Sequence, residues 1–76
     1  MDVKLAGIQG VNFINSNGEP VRGINIYCLF KDEHVDGMKC SKFFVKDTIP
    51  LTNIKPNDSI ALSFNMNGKV DGVTKL

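Results

Sequence analysis

The sequence predicts an all-β fold, a small barrel of five antiparallel strands in one domain that covers residues 1–76. Apolar and polar side chains alternate in several short segments, and this period of two is typical of strands. Turn signals separate the segments, and no segment has a helical period of useful length. A closed or nearly closed barrel is expected because an open sheet of this size would expose edges that favour aggregation.

The C-terminal segment, residues 58–76, has the clearest strand pattern. Asn67-Gly68 predicts a type I′ hairpin turn, which needs positive φ at both central residues. Before the strand, Pro56 and Asn57 are the residue types that turn positions require, and Asp58 is expected to cap this turn. Four alternating apolar residues are expected on one face of the strand: Ile60, Leu62, Phe64 and Met66.

A first strand is predicted over residues 3–15, where Gly7 and Gly10 indicate a bulge or a bend. A second Asn-Gly turn follows it, at Asn17-Gly18. The next strand is predicted over residues 21–31. Its two faces carry, on one side, Ile24, Ile26, Cys28 and Phe30 and, on the other, Asn25, Tyr27, Leu29 and Lys31.

The third strand is predicted over residues 38–47, after a polar connection. Phe43 and Val45 fit its core face, which leaves Phe44 on the outside between two lysines. Residues 48–54 contain Pro50 and are predicted to form a loop or at most one helical turn.

The charge balance restricts how a partner could be bound. Nine Lys and Arg against eight Asp and Glu give a net charge of +1, so any charged partner must be recognised by a local patch. No apolar run reaches the ~20 residues of a membrane span, and residues 1–4 do not resemble the start of a signal peptide. We therefore expect a cytoplasmic protein without a membrane partner.

The sequence gives little support for a disulfide, a catalytic motif or a metal site. Cys28 and Cys40 lack CxxC spacing, so free thiols are expected, and a disulfide across neighbouring strands is the less favoured alternative. No nucleophile elbow, P-loop or dinucleotide fingerprint is found. His34 lies among acidic residues, which a polar hairpin loop explains better than an acid–base or metal site. No enzyme, metal or cofactor is expected.

Exposed aromatic rings beside cations are the pattern with which small barrels bind single-stranded nucleic acid. Tyr27 and Phe44 are the candidate stacking residues, and the alternative is that both rings pack under a neighbouring loop. The candidate cations are Lys31, Lys42 and Lys46, with Arg22 and Lys39 nearby.

Six short pieces carry a family resemblance: Gly10-Val11-Asn12-Phe13, the turn at Gly18, Gly23-Ile24-Asn25-Ile26-Tyr27, Phe43-Phe44-Val45, Pro56-Asn57-Asp58 and Phe64-Asn65-Met66-Asn67-Gly68-Lys69-Val70. They resemble small OB-fold proteins of Gram-positive phages and conjugative elements, which are similar to filamentous-phage gene V single-stranded DNA-binding proteins. The resemblance implies an OB-like barrel that binds DNA across its second and third strands, with a role in replication or transfer. Asn57 and Met66 stand where such proteins commonly have glycine and a basic residue.

Two other interpretations remain open at this point. The chain could be a protein-interaction module that docks on a host or replication protein, or a structural subunit of a phage assembly. A homodimer, formed through Leu29 or through an open strand edge, would double any track of cations. Cations clustered on one face favour nucleic acid, whereas mixed charge around the aromatic rings favours a protein partner.

Overall fold

The computed structural model describes residues 1–51 and 53–76. Five antiparallel strands form one sheet in the order β3-β2-β1-β4-β5, which confirms the all-β prediction. The strands are β1 Asp2–Ile14, β2 Pro20–Lys31, β3 Met38–Lys46, β4 Ser59–Phe64 and β5 Val70–Lys75. In the described part of the chain, no helix has the length and apolar character needed to cross a bilayer.

The connection between β3 and β4 was predicted as a loop or one helical turn over residues 48–54. Its described residues form turns and bends, and Thr52 lies outside the described residues. Ile49, Leu51 and Ile54 are partly buried and pack against the core. The connection therefore covers the inner side of the sheet with apolar side chains.

β1 contains one bulge, where its register with β2 shifts between Leu5 and Gly7. The extra residue reverses the alternation, so that Leu5 and Ile8 lie on the same side of the sheet although three positions separate them. A bulge was predicted from the glycines of this strand, and Gly7 lies at it. Gly10 is paired regularly with Ile24 and marks no second irregularity.

The core lies on the inner side of the curved sheet. Its fully buried side chains come from four of the strands and are Leu5, Ile26, Cys28, Val45 and Ile60. Burial of each aliphatic side chain contributes roughly 1.5–3 kcal/mol. The predicted core face at the end of β3 is thereby confirmed, and of the two faces of β2 the one with Ile26 and Cys28 is the core face.

β3 and β5 are the two outermost strands, and within the described residues no ladder pairs them with each other. The sheet is thus open along a seam, so the closed form of the barrel predicted from the sequence is not observed. At this seam the rings of Phe43 and Phe64 pack with their centroids 5.6 Å apart and their planes tilted by 60°. Side-chain packing therefore holds the two ends of the sheet near each other without backbone pairing.

The two Asn-Gly hairpins share one construction. In the first, Asn15 Oδ1 accepts hydrogen bonds from the N–H groups of Asn17 and Glu19, both at 3.0 Å. The N–H of Gly18 donates to Asn15 O at 3.0 Å, and Gly18 has a φ of 78°. This is the hairpin loop in which a left-handed glycine follows a type I turn.

The second hairpin repeats this arrangement with Asn65 in the capping position and Gly68, with a φ of 75°, as the left-handed residue. Asn67 does not have a positive φ, so the predicted type I′ turn is wrong. Met66 lies within this turn and is fully exposed, and so it does not continue the inward face of β4 as the alternation predicted. Ile60 and Leu62 do point into the core.

The turn before β4 agrees with its prediction. Asn57 has a φ of 80°, and the N–H of Asp58 donates to Lys55 O at 3.0 Å, as in a type II turn with proline in its second position. Asp58 Oδ2 caps the turn by accepting from the N–H of Lys55 at 2.8 Å. The N–H of Asn57 donates to Leu5 O at 2.7 Å and fixes the turn against β1.

Candidate nucleic-acid interface

The side chains of β2 and β3 that point away from the core form one continuous surface, which we call the outer face. The register between the strands pairs Tyr27 with Lys42, Asn25 with Phe44 and Gly23 with Lys46. Residues directly opposite each other in an antiparallel ladder lie on the same side of the sheet. The outer face therefore comprises Gly23, Asn25, Tyr27, Leu29, Lys31, Met38, Cys40, Lys42, Phe44 and Lys46.

Tyr27 lies on this face with 40% of its surface exposed. Its ring extends over β1, where Cδ2 lies 3.7 Å from the position that a Cβ on Gly7 would occupy. Its hydroxyl donates a hydrogen bond of 2.7 Å to Oε1 of Gln9 on the same strand. The ring is thus fixed by its packing against Gly7 and by the hydrogen bond to Gln9, while part of its surface stays exposed to solvent.

Phe44 lies over a glycine in the same way, one strand further along the sheet. Its Cζ lies 2.8 Å from the position that a Cβ on Gly23 would occupy, and 36% of the residue is exposed. An aromatic ring that covers a glycine of a neighbouring strand shields the backbone there. The structure thus places neither Tyr27 nor Phe44 in the core, and each rests on the backbone of its neighbouring strand.

Lysines lie beside both rings. Lys42 is directly opposite Tyr27, and Lys42 and Lys46 flank Phe44 on alternate positions of β3, about 6.6 Å from it along the strand. Lys31 lies at the far end of β2 on the same face. Five of the nine cations of the chain belong to β2 and β3, and none of its eight acidic residues does. The two strands therefore carry a local positive charge that the net charge of the chain conceals.

Arg22 and Lys39 were predicted to lie near these lysines. Both alternate with the outer-face residues along their strands, so their side chains leave the opposite side of the sheet and do not join the outer face. Arg22 is paired with Asn12, and Lys39 with Phe30, whose side chain packs against the core. Nζ of Lys39 lies 3.6 Å from Oδ2 of Asp32 in a partly exposed ion pair. Arg22 still reaches the margin of the outer face, in a cleft of about 310 Å³ that Phe44 also lines.

The seam between β3 and the β4–β5 hairpin adds a cation that the sequence analysis did not include. A groove of about 420 Å³ lies there, and Lys42, Phe44, Lys46 and Lys69 are among its lining residues. Asp71 also lines it and accepts a hydrogen bond of 2.6 Å from the Ser63 hydroxyl. The curvature of the sheet, which no local pattern reveals, brings Lys69 to this position.

The two cysteines are free, which confirms the prediction. Cys28 is paired with Ser41, and Cys40 with Leu29, so the two thiols point to opposite sides of the sheet. Burial raises the pKa of the Cys28 thiol above its ordinary value of 9.0. Cys28 is therefore an unreactive core residue, whereas Cys40 is exposed on the outer face.

The described residues of the polar loop between β2 and β3 do not form an acid–base or metal site. Nε2 of His34 lies 3.4 Å from Oε1 of Glu33, and both side chains are almost fully exposed. Among the described residues, no group of three or more His, Cys, Asp or Glu side chains is arranged to hold a metal ion.

No protein-family profile, no curated protein and no solved structure matches this chain. The outer face is therefore the candidate interface of this chain. Its distinguishing features are two partly exposed aromatic rings held against glycines, lysines beside them, and the absence of acidic residues from both strands.

Proposed function

We propose that this chain is a non-enzymatic, OB-like single-stranded DNA-binding domain, and that it serves replication or transfer of a phage or mobile element. The observation that carries the proposal is the pair of rings, Tyr27 and Phe44, held over glycines on one face with lysines beside them. Stacking of a base on such a ring is worth roughly 1–3 kcal/mol and tolerates any base. Because the rings are already positioned, little conformational entropy is lost when a base stacks.

The charge distribution favours a nucleic acid over a protein partner. A protein-docking face is expected to carry mixed charge, whereas the outer face carries Lys31, Lys42 and Lys46 and no acidic residue, and Asp71 enters only the adjoining groove. Lys42 and Lys46 flank the exposed ring of Phe44 and would meet the phosphates on either side of a stacked base. Binding of a protein partner is the alternative against which the proposal is tested.

The strand order supports the OB-like part of the proposal. If β3 and β5 were joined, the order β3-β2-β1-β4-β5 would become a closed five-stranded barrel, and OB folds are often partly open. OB folds bind oligonucleotides on the face of their second and third strands and with the loops 1–2 and 4–5. Here the corresponding loops, residues 15–19 and 65–69, both contribute residues to clefts that Phe44 lines.

The strength of binding should depend on the local lysines. Three outer-face lysines at phosphates predict a slope of about −2 for log K against log salt, or roughly a 20-fold loss of affinity between about 50 and 200 mM salt. Lys69 at a fourth phosphate would make the slope steeper by about 0.7. Affinity at physiological salt is therefore expected to be modest for one copy of the chain.

The test is fluorescence anisotropy of a labelled oligo-dT at about 50 and 200 mM salt, with a duplex of equal length as competitor. Saturable binding that weakens with salt, and a duplex that competes poorly, would support the proposal. No binding at about 50 μM protein in the lower salt would contradict it, since even non-specific DNA binding is detectable there. A pull-down would then test the protein-docking alternative.

The site is tested with Tyr27→Ala and Phe44→Ala, singly and together. Each loss should weaken oligo-dT binding by roughly 5- to 150-fold, the range that corresponds to one stacked base. Val35→Ala, a truncation of an exposed apolar residue in the β2–β3 loop, is the matched control and should bind normally. Circular dichroism should show that each variant remains folded, and a double variant that unfolds would instead assign both rings to the core.

A further inference from the structure

The longest strand of the sheet has an edge that is paired over only part of its length. β4 pairs with β1 at Asp2–Lys4, and Leu5 continues this ladder by two hydrogen bonds to the turn before β4. From residue 7 to residue 14, β1 is paired with β2 alone. Among the described residues, no backbone group bonds to the other edge of this segment.

The register shows which backbone groups lie on that open edge. Pro20, opposite Ile14, has no N–H, so this is a non-hydrogen-bonded pair. Hydrogen-bonded and non-hydrogen-bonded pairs alternate along an antiparallel ladder. Therefore Ile14, Asn12, Gly10 and Ile8 direct their N–H and C=O groups away from β2, toward solvent.

This open edge also lacks the protection that the other two edges have. Charged residues on an edge strand discourage pairing with another chain. β3 carries three lysines, and β5 carries Asp71 and Lys75, whereas residues 6–14 include no charged residue and no proline. Phe13 and Ile14 are 51% and 71% exposed at the end of this segment.

We propose that a second copy of the chain pairs with this edge, β1 against β1, around a twofold axis at Val11. Antiparallel pairing is isologous, so the same edge serves both copies. In the register centred on Val11, Ile8 lies opposite Ile14 of the second copy, and Gly10 lies opposite Asn12 of the second copy. All four residues with free backbone groups then pair, and no like charges meet.

This pairing makes one continuous sheet from the two copies. Its twofold axis is perpendicular to the sheet, so both outer faces lie on the same side and their lysines form one longer track. The pairing rests on the edge of β1 alone and stands whether or not the outer face binds DNA. For a DNA-binding protein it would double the number of rings and lysines that one strand of DNA meets.

The first test is the mass in solution without DNA, by sedimentation equilibrium over a concentration series. The wild-type chain should have twice the mass of one chain at high concentration and dissociate on dilution. Ile14→Lys should shift the equilibrium toward the monomer, because it places a charge beside Ile8 of the second copy. Leu76→Lys, an equally exposed apolar position at the end of β5, is the matched control and should dimerise like the wild type.

The second test fixes the register by crosslinking Val11→Cys in a Cys40→Ser background. At the axis the two introduced cysteines form a non-hydrogen-bonded pair with Cα atoms about 4.5 Å apart, within the range of a disulfide. Mild oxidation should therefore give a covalent dimer. Phe13→Cys is the control, because the two copies of residue 13 would be about 13 Å apart.

A wild-type chain that stays monomeric up to about 1 mM, a concentration at which even weak specific complexes form, would overturn the proposal. A dimer that crosslinks no better through residue 11 than through residue 13 would also overturn it, since the copies would then meet elsewhere. Neither outcome depends on DNA, so failure of this pairing is distinct from failure of the proposed DNA binding.

Discussion

The ring of Phe44 lies over Gly23, so close that a Cβ on residue 23 would be 2.8 Å from Cζ of the ring. The same Cβ would also collide with the backbone carbonyl oxygen of Val45. Glycine inside a strand costs roughly 0.5–1 kcal/mol relative to alanine. The cost is offset here because only glycine lets the ring and the neighbouring backbone approach so closely.

Gly23→Ala is predicted to destabilise the fold. The added methyl group meets backbone on one side and the ring on the other, and overpacking of this kind costs about 1–3 kcal/mol. Urea denaturation followed by circular dichroism would measure the lower free energy of unfolding. The displaced ring should also weaken oligo-dT binding beyond the loss expected from stability alone.

Gly10→Ala is the matched control for this prediction. Gly10 lies in β1, and a Cβ there would meet nothing within 4 Å. The substitution should leave stability unchanged or raise it by up to about 1 kcal/mol, since alanine restricts the unfolded chain. Equal stability of the two alanine variants would show that Phe44 does not lie over Gly23.

Tyr27→Phe distinguishes the contribution of the ring to binding from that of its hydroxyl. The variant loses the hydrogen bond to Gln9 but keeps the ring over Gly7. Because stacking needs only the ring, its affinity for oligo-dT should stay within about threefold of wild type, whereas Tyr27→Ala should lose roughly 5- to 150-fold. If both variants bind equally weakly in anisotropy titrations, the hydroxyl and not the ring makes the decisive contact.

The strand faces and several core residues could be predicted because alternation depends only on local sequence. Ile26, Val45 and Ile60 point inward as the pattern indicates, and Tyr27 and Phe44 point outward. The prediction from the alternation was wrong where the alternating pattern continues beyond the end of a strand. Met66 continues the period of two, yet it lies in a turn.

A local signal for that turn was present in the sequence. Asn15 and Asn65 each stand three residues before a glycine, in the repeated pattern Asn-x-Asn-Gly, and each caps its hairpin with its side chain. The Asn-Gly pair alone suggested a two-residue turn, whereas the earlier asparagine indicates the longer loop. This difference moves Met66 from the strand to the turn.

The remaining features of the site depend on contacts between distant segments. The position of Phe44 over Gly23 requires the register of β2 with β3, and the approach of Lys69 to the groove requires the curvature of the whole sheet. Gly7 indicated the bulge of β1, but only the pairing with β2 shows that the extra residue is Ala6 and that the faces of the strand reverse there. The approach of the two ends of the sheet at the seam likewise depends on packing between Phe43 and Phe64, which lie on different strands.

Removal of the outer-face lysines is predicted to change how binding depends on salt. Lys42→Gln with Lys46→Gln should make the slope of log K against log salt shallower by about 1.4, since each phosphate contact contributes roughly 0.7. Anisotropy titrations at four or more salt concentrations would measure the slope. Lys55→Gln, in the turn before β4, is the control and should keep the wild-type slope, and a slope that changes equally in both would indicate only a general charge effect.

The stability of the fold is predicted to fall at alkaline pH because of Cys28. Burial raises the pKa of its thiol in the folded state above 9.0, so the native protein holds this proton to higher pH than the unfolded chain does. The contribution of this thiol to the free energy of unfolding is fully present below the pKa that it has in the unfolded chain. It is lost as the pH rises through that pKa toward the higher pKa of the folded state. One proton gives at most about 1.4 kcal/mol per pH unit. Urea denaturation at pH values from 8 to about 10 would measure the decline.

Two alanine variants assign this decline to one thiol. Cys28→Ala should be less stable at every pH because it leaves a cavity in the core, yet its stability should fall less steeply above pH 9 than that of the wild type. Cys40→Ala removes an exposed thiol and should keep the wild-type dependence. If Cys28→Ala declines as steeply as Cys40→Ala, another group is responsible, and the buried thiol does not couple folding to pH.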